Sequence, residues 1–134
     1  MNSKNTNYIS FNLKNHVDLK VNNQHLINKS NMPISANNPN RTSWLYVNKY
    51  SDFPIQNIPF GVFLTKDDII TIGTRIGDTA IDLGALHQLG YFDGIPLTDD
   101  IFLQDSLNDF IADGRKTWRA VRNRIAEIFD KNND

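Results

Sequence analysis

The 134-residue chain contains no cysteine. Disulfide frameworks and thiolate metal sites are therefore excluded, and a reducing cytoplasm is the consistent setting. No apolar run approaches the roughly 18–20 residues that cross a bilayer. The N-terminus lacks the apolar stretch of a secretory signal. There is no excess of one charge either: 14 Lys and Arg face 15 Asp and Glu, a formal net charge of −1. Neither nucleic acid nor a membrane is the expected partner of so balanced a chain. The glycines lie too far apart to cradle a phosphate.

The balance conceals an asymmetry. Residues 1–42 hold five basic residues, one acidic residue (Asp18) and no glycine, whereas residues 43–134 hold nine basic and fourteen acidic residues. The first segment is rich in Asn, Ser and Lys, with Leu13, Val17, Leu19, Val21, Leu26 and Ile27 scattered without period. It buries too little apolar surface to offset its ordering entropy. It is expected to be a disordered leader, or sequence upstream of the true start. A transit peptide would share the scarcity of acids but favours arginine, and only Arg41 appears.

The globular part is expected over residues 43–134. Trp44–Val47 is strand-like, and Phe60–Leu64 reads as a strand. Lys66, Asp67 and Asp68 make a polar turn. Ile69–Ile76 is the clearest strand, with Ile70, Ile72, Thr74 and Ile76 on one face at period two. Gly73 within it predicts a bulge or a close contact. Gly77-Asp78 reverses the chain into Ala80–Leu83, so Ile69–Leu83 is a hairpin. Gly84–Leu89 is a short helical stretch, and Asp93, Gly94 and Pro96 mark a loop.

A long amphipathic helix follows, with Asp105 or Ser106 as N-cap and Asp109 near the positive end of the dipole. Leu107, Phe110, Ile111, Gly114, Trp118, Val121, Ile125 and Phe129 form its apolar stripe. Gly114 in that stripe predicts close packing against a strand. Arg115, Arg119, Arg122 and Lys131 are placed to complement the helix C-terminus. The elements are read as an α+β fold, mainly β, with a small barrel or curled antiparallel sheet closed on one side by one long C-terminal helix; periodicity alone supports an antiparallel sheet plus a helix.

Chemistry-bearing residues are sparse. His16, His25 and His87 stand in no metal-ligand spacing. His87 is expected to be a surface or half-buried structural residue, since a general base needs an orienting carboxylate and nothing fixes Asp82 beside it. Asp82, between Ile81 and Leu83, is expected to meet solvent or a backbone donor. Asp67-Asp68 and Asp99-Asp100 are adjacent pairs that point apart and so chelate one cation poorly. Ser51 and Ser106 lack a nucleophile motif and read as turn and cap residues. Arginines between Arg115 and Arg124 read as a solvated helix face. Trp44, Phe53, Phe60 and Phe63 read as core or interface packing ahead of a stacking site. No catalytic, metal or cofactor-binding residue is assigned.

The most distinctive run is Ser51–Phe63, in which Pro54 and Pro59 bracket a stiff, aromatic-bearing segment. Gly61 is expected to permit a close approach or a positive φ. Such a leader suits a groove on a larger body, and Asp52, Phe53, Pro54, Ile55, Asn57, Pro59, Phe60 and Gly61 are the predicted docking residues. With Arg75-Ile76-Gly77-Asp78, Ile81-Asp82-Leu83, Leu107-Asn108-Asp109-Phe110 and the helix bearing Trp118, this run resembles the amino-terminal domain of fumarylacetoacetases. The resemblance runs from about Ser43 to Phe129.

The resemblance implies an SH3-like barrel and, for the parent enzyme of tyrosine and phenylalanine breakdown, hydrolysis of a carbon–carbon bond in 4-fumarylacetoacetate to fumarate and acetoacetate. It also implies a carboxylate-held Ca²⁺ or Mg²⁺ acting as Lewis acid, a His–Glu pair that activates water, and a homodimer. The family's metal ligands and catalytic pair match no position here. The catalytic domain is therefore expected downstream, as the partner of this segment; a reading frame that continues past Asp134 with carboxylates and a His–Glu pair would favour it. The competing expectation is a stand-alone SH3-like interaction module without catalysis.

Overall fold

The computed structural model describes residues 7–9 and 35–133. Three antiparallel strands form the centre of the fold: β2 (Phe60–Leu64), β3 (Ile70–Ile76) and β4 (Thr79–Asp82). A short strand β1 (Asn7–Ile9) lies parallel to β4, giving the order β1-β4-β3-β2. The expected SH3-like barrel is not what the described strands build, because the sheet ends at β2 and does not close.

Local chemistry explains the strands. Between β2 and β3, Thr65 Oγ1 accepts from the Asp67 and Ile69 amides, and Asp68 takes a left-handed φ of 58°. Aspartate tolerates that conformation better than most residues. Between β3 and β4 the two-residue turn has Gly77 at φ 58°, and Gly satisfies the first position of a type II′ turn. Both the polar turn and the Ile69–Leu83 hairpin therefore match expectation. Gly73 makes a close contact without a bulge: the register through Gly61↔Gly73 is unbroken, and the Phe63 ring covers the space a side chain would fill.

The Trp44–Val47 run is not a strand. Leu45 and Val47 pack on the core while Trp44 and Tyr46 are exposed. This alternation has no ladder partner beyond the single bridge Ser43↔Asp130.

Helix α1 (Leu83–Gln88) follows β4 directly. The expected long helix is two: α2 (Asn108–Ala112) and α3 (Gly114–Ile128). Gly114 opens α3 with φ 82°, and a Cβ there would meet nothing within 4 Å among the described residues. The glycine is thus a left-handed helix terminator, not a packing gap. Trp118 Nε1 donates to the Phe110 carbonyl across the break at 2.7 Å. Neither Asp105 nor Ser106 caps α2; Leu107 occupies that position without a side-chain bond. The last turn of α3 carries no basic residue.

An aromatic chain runs through the core, Phe60 to Phe110 at 4.9 Å, Phe110 to Phe102 at 5.3 Å and Phe102 to Phe92 at 5.4 Å between centroids. Ile72, Ile76, Ile81, Leu83, Val121, Ile125 and Phe129 are among the buried residues packed around it.

Most of the expected leader lies outside the described residues. Of its described residues, Asn7–Ile9 form β1 and the turn Ser35–Asn37 packs on α3, with Ala36 fully buried and its amide donating to Asn123 Oδ1. Residues 42–44 then close over the end of α3. Trp44 N donates to the Phe129 carbonyl, Trp44 Nε1 to Ile128, and Lys131 N to Thr42. Arg41 pairs with Asp130 at 3.0 Å, and Trp44 stacks on Phe129.

Candidate functional site

The proline-bracketed run is not continuously extended. Asn57 N donates to the Pro54 carbonyl at 2.8 Å, closing a β-turn. The turn follows from its sequence, since Pro54 begins a segment whose Asn57 side chain also reaches back to the Asp52 carbonyl at 2.7 Å. Ile55 and Ile58 are buried in the domain's own core. Phe53 accepts from Gly77 N through its carbonyl, and its ring lies under the Arg75 guanidinium at 4.2 Å. Arg75 also reaches Asp78 and the Gly77 carbonyl, so the hairpin turn holds Phe53. Gln56 donates to the carbonyls of Asn38 and Arg41, and its own carbonyl accepts from Arg122 Nη2.

The eight predicted docking residues therefore divide. Ile55 is an anchor, and the Phe60 ring meets Phe110 edge-on, so it too serves the core. Asp52 and Asn57 are exposed, while Phe53, Pro54, Pro59 and Gly61 are half-buried. Gly61 makes no close approach among the described residues and has no positive φ; a Cβ there would meet none of them within 4 Å.

Asp82 finds the backbone donor expected of it. It caps α1, its Oδ1 accepting from Ala85 N at 3.0 Å and from Thr71 Oγ1 at 2.8 Å. An N-cap contributes about 1 kcal/mol and a hydrogen bond about as much again. Asp82→Ala is expected to destabilise the chain by about 2 kcal/mol, and Asp82→Asn by less, in urea unfolding. An unchanged midpoint for Asp82→Ala would remove this structural role.

His87 is half-buried, its Nε2 3.1 Å from the Thr98 carbonyl and its ring edge-on to Phe102. Its Nδ1 is buried with no partner among the described residues, and no described carboxylate orients it. Asp67 and Asp68 belong to the β2–β3 turn, and Asp100 accepts from Gln104. Among the described residues no group of three His, Cys, Asp or Glu is placed to hold a metal ion. The described residues thus offer no fitting ligand set for the divalent cation implied by the resemblance. Ser51 Oγ accepts from Phe53 N as a turn residue. Among the described residues, no helix is long and apolar enough to cross a membrane.

Two arginines depart from the expected solvated face. Arg124 is buried and donates to the carbonyls of Tyr91 and Asp93, with Glu127 3.7 Å away. Arg122 joins Asn37 to the proline loop. The signal for Arg124 was its place three residues after Val121 and one before Ile125, inside the apolar face. A small domain lacking its body is expected to expose an apolar patch, and no sequence signal placed it; Val62, Leu64, Ile69 and Ile70 are exposed at the outer end of the β2–β3 hairpin.

Residues 56–134 match the family described as Fumarylacetoacetase N-terminal. Among curated relatives, the fumarylacetoacetase of Arabidopsis thaliana is 41% identical over 92 residues, covering 67% of this chain and 22% of the relative. That of Caenorhabditis elegans is 42% identical over 92 residues, 66% of this chain and 22% of the relative. The human protein is 41% identical over 83 residues, 60% and 19% of the two chains. The chain spans about a fifth of the length of the curated relatives it matches.

Proposed function

Because the chain belongs to the fumarylacetoacetase N-terminal family, we propose that it serves as the structural amino-terminal unit of a fumarylacetoacetase. The full-length protein would hydrolyse 4-fumarylacetoacetate to fumarate and acetoacetate in cytoplasmic tyrosine and phenylalanine catabolism. Its Ca²⁺ or Mg²⁺ ligands and its water-activating pair would lie in the body that this chain does not include, and the whole would form a homodimer. The open sheet is read as part of the family's SH3-like barrel. No step is drawn through a metal in this unit.

The observation that carries this reading is the family match, which covers more than half of this chain and only about a fifth of each relative. The local engagement of Asp82 and His87 supports a packing role. In this reading the proline loop meets the body through Asp52, Phe53, Pro54, Asn57 and Pro59, while Ile55 and Ile58 hold it to its own core. The 134-residue chain alone is expected to show no hydrolysis of fumarylacetoacetate, followed by loss of substrate absorbance. Joined ahead of the remainder of the Arabidopsis relative, in place of the matching part, it is expected to support turnover. Turnover by the chain alone would overturn the structural reading.

A further inference from the structure

Among the described residues, nothing pairs with the outer edge of β2. The register fixes which backbone groups that edge offers. Ile72 donates its N–H to the Phe102 carbonyl at 2.8 Å, away from β2. Residues opposite each other in an antiparallel pair point their N–H and C=O groups either toward one another or both away. Val62 stands opposite Ile72, so its N–H and C=O point out of the sheet. Alternation gives Phe60 and Leu64 the same direction, while Gly61 and Phe63 face β3.

The same strand exposes apolar side chains. Val62 is 40% and Leu64 58% exposed, and Ile70, cross-strand from Leu64, is 46% exposed. Solvent-facing edges are normally blunted by a charge, a proline within the strand or a bulge. β2 reads Phe-Gly-Val-Phe-Leu, carries no charge and keeps an unbroken register. Gly61 adds no side chain to obstruct an approach.

Resting on the reading above, we propose that β2 is extended by a strand from the body that follows this unit in full-length relatives. The added strand would pair with the backbone of Phe60, Val62 and Leu64, and set apolar side chains two residues apart against Val62 and Leu64. Length argues for this occupant, since the chain accounts for only 22% of the Arabidopsis relative. An uncharged edge also suits a permanent apolar neighbour better than a transient polar one.

Hydrogen exchange tests the proposal. In the chain alone, the Val62 and Leu64 amides are expected to exchange freely while that of Gly61 is protected. In the fusion with the Arabidopsis remainder, exchange at Val62 and Leu64 is expected to slow by about a hundredfold or more. Val62→Pro removes only an outward donor. It is expected to leave the chain folded and to restore fast exchange at Leu64 in the fusion. Fast exchange at both amides in an unsubstituted fusion whose N-terminal unit tumbles with the body overturns the strand proposal and leaves the docking reading standing. A unit that tumbles independently overturns both. Protection of the two amides in the chain alone, together with a dimer in solution, gives the edge to a second copy and also overturns the proposal. If the fusion fails to fold, the intact Arabidopsis protein carries the same measurement at the strand aligned with Phe60–Leu64: slow exchange supports the proposal and fast exchange overturns it.

Discussion

Replacing Phe102 with alanine is expected to remove about 4 kcal/mol of stability, the middle of the range for buried phenylalanines. The ring is fully buried and stands between Phe92 and Phe110, with His87 edge-on to it. Its loss therefore opens a cavity and removes three ring contacts, each contributing beyond simple burial. The backbone at this position matters as well, because the Phe102 carbonyl accepts from Ile72 N and Thr71 Oγ1. Those bonds survive the substitution, so Phe102→Leu is expected to recover more than half of the loss. A domain of this size holds about 5–15 kcal/mol in total. Phe102→Ala should thus bring the chain near its unfolding threshold at 37 °C, read by the urea midpoint and the thermal transition. A shift under about 1 kcal/mol would mean that the aromatic chain is not the centre of the core.

Gly73→Ala is the second large effect, expected to cost about 3 kcal/mol through overpacking. A Cβ at Gly73 would collide with the Phe63 ring and lie 2.5 Å from the Ile81 carbonyl oxygen. The ring belongs to a half-buried side chain that can shift, but the carbonyl belongs to the β4 backbone and moves only with the sheet. Phe63→Ala combined with Gly73→Ala is therefore expected to recover part of the loss and not all of it. Gly61→Ala is the internal control: it sits directly opposite Gly73, and its Cβ would meet none of the described residues within 4 Å. Equal destabilisation by both single changes would refute the steric account.

These contrasts mark how far the sequence could be read. The hairpin was legible because period-two isoleucines, a Gly-Asp pair and a following strand all specify one pairing. Gly73 was legible as a close contact but not its partner, since the diagonal position of Phe63 depends on the register. Trp44–Val47 has the alternation of a strand, but Trp44 bonds to the end of α3 while Tyr46 and Val47 lie against the Gly77 turn, so the run has no ladder to join. The helix break was hidden because the three-and-four spacing of apolar residues continues across Gly114. Its left-handed φ separates α2 from α3, and Ile111 is left exposed at the junction. In the proline run, two prolines suggested a continuous extended strip, whereas Asn57 completes a turn after Pro54 and drives Ile55 inward. Asp82 was legible as a bonded residue, and its partner Thr71, eleven positions earlier, was not.

The bond from Lys131 N to the Thr42 carbonyl ties the end of the described chain to the segment that leads out of the Ser35–Asn37 turn. Any chain that follows leaves from that corner. A body suspended from a single point is free to swivel about it. Fixing its orientation takes a second contact at a distance from the pivot, and the uncovered margin of β2 is where the fold has left room for one.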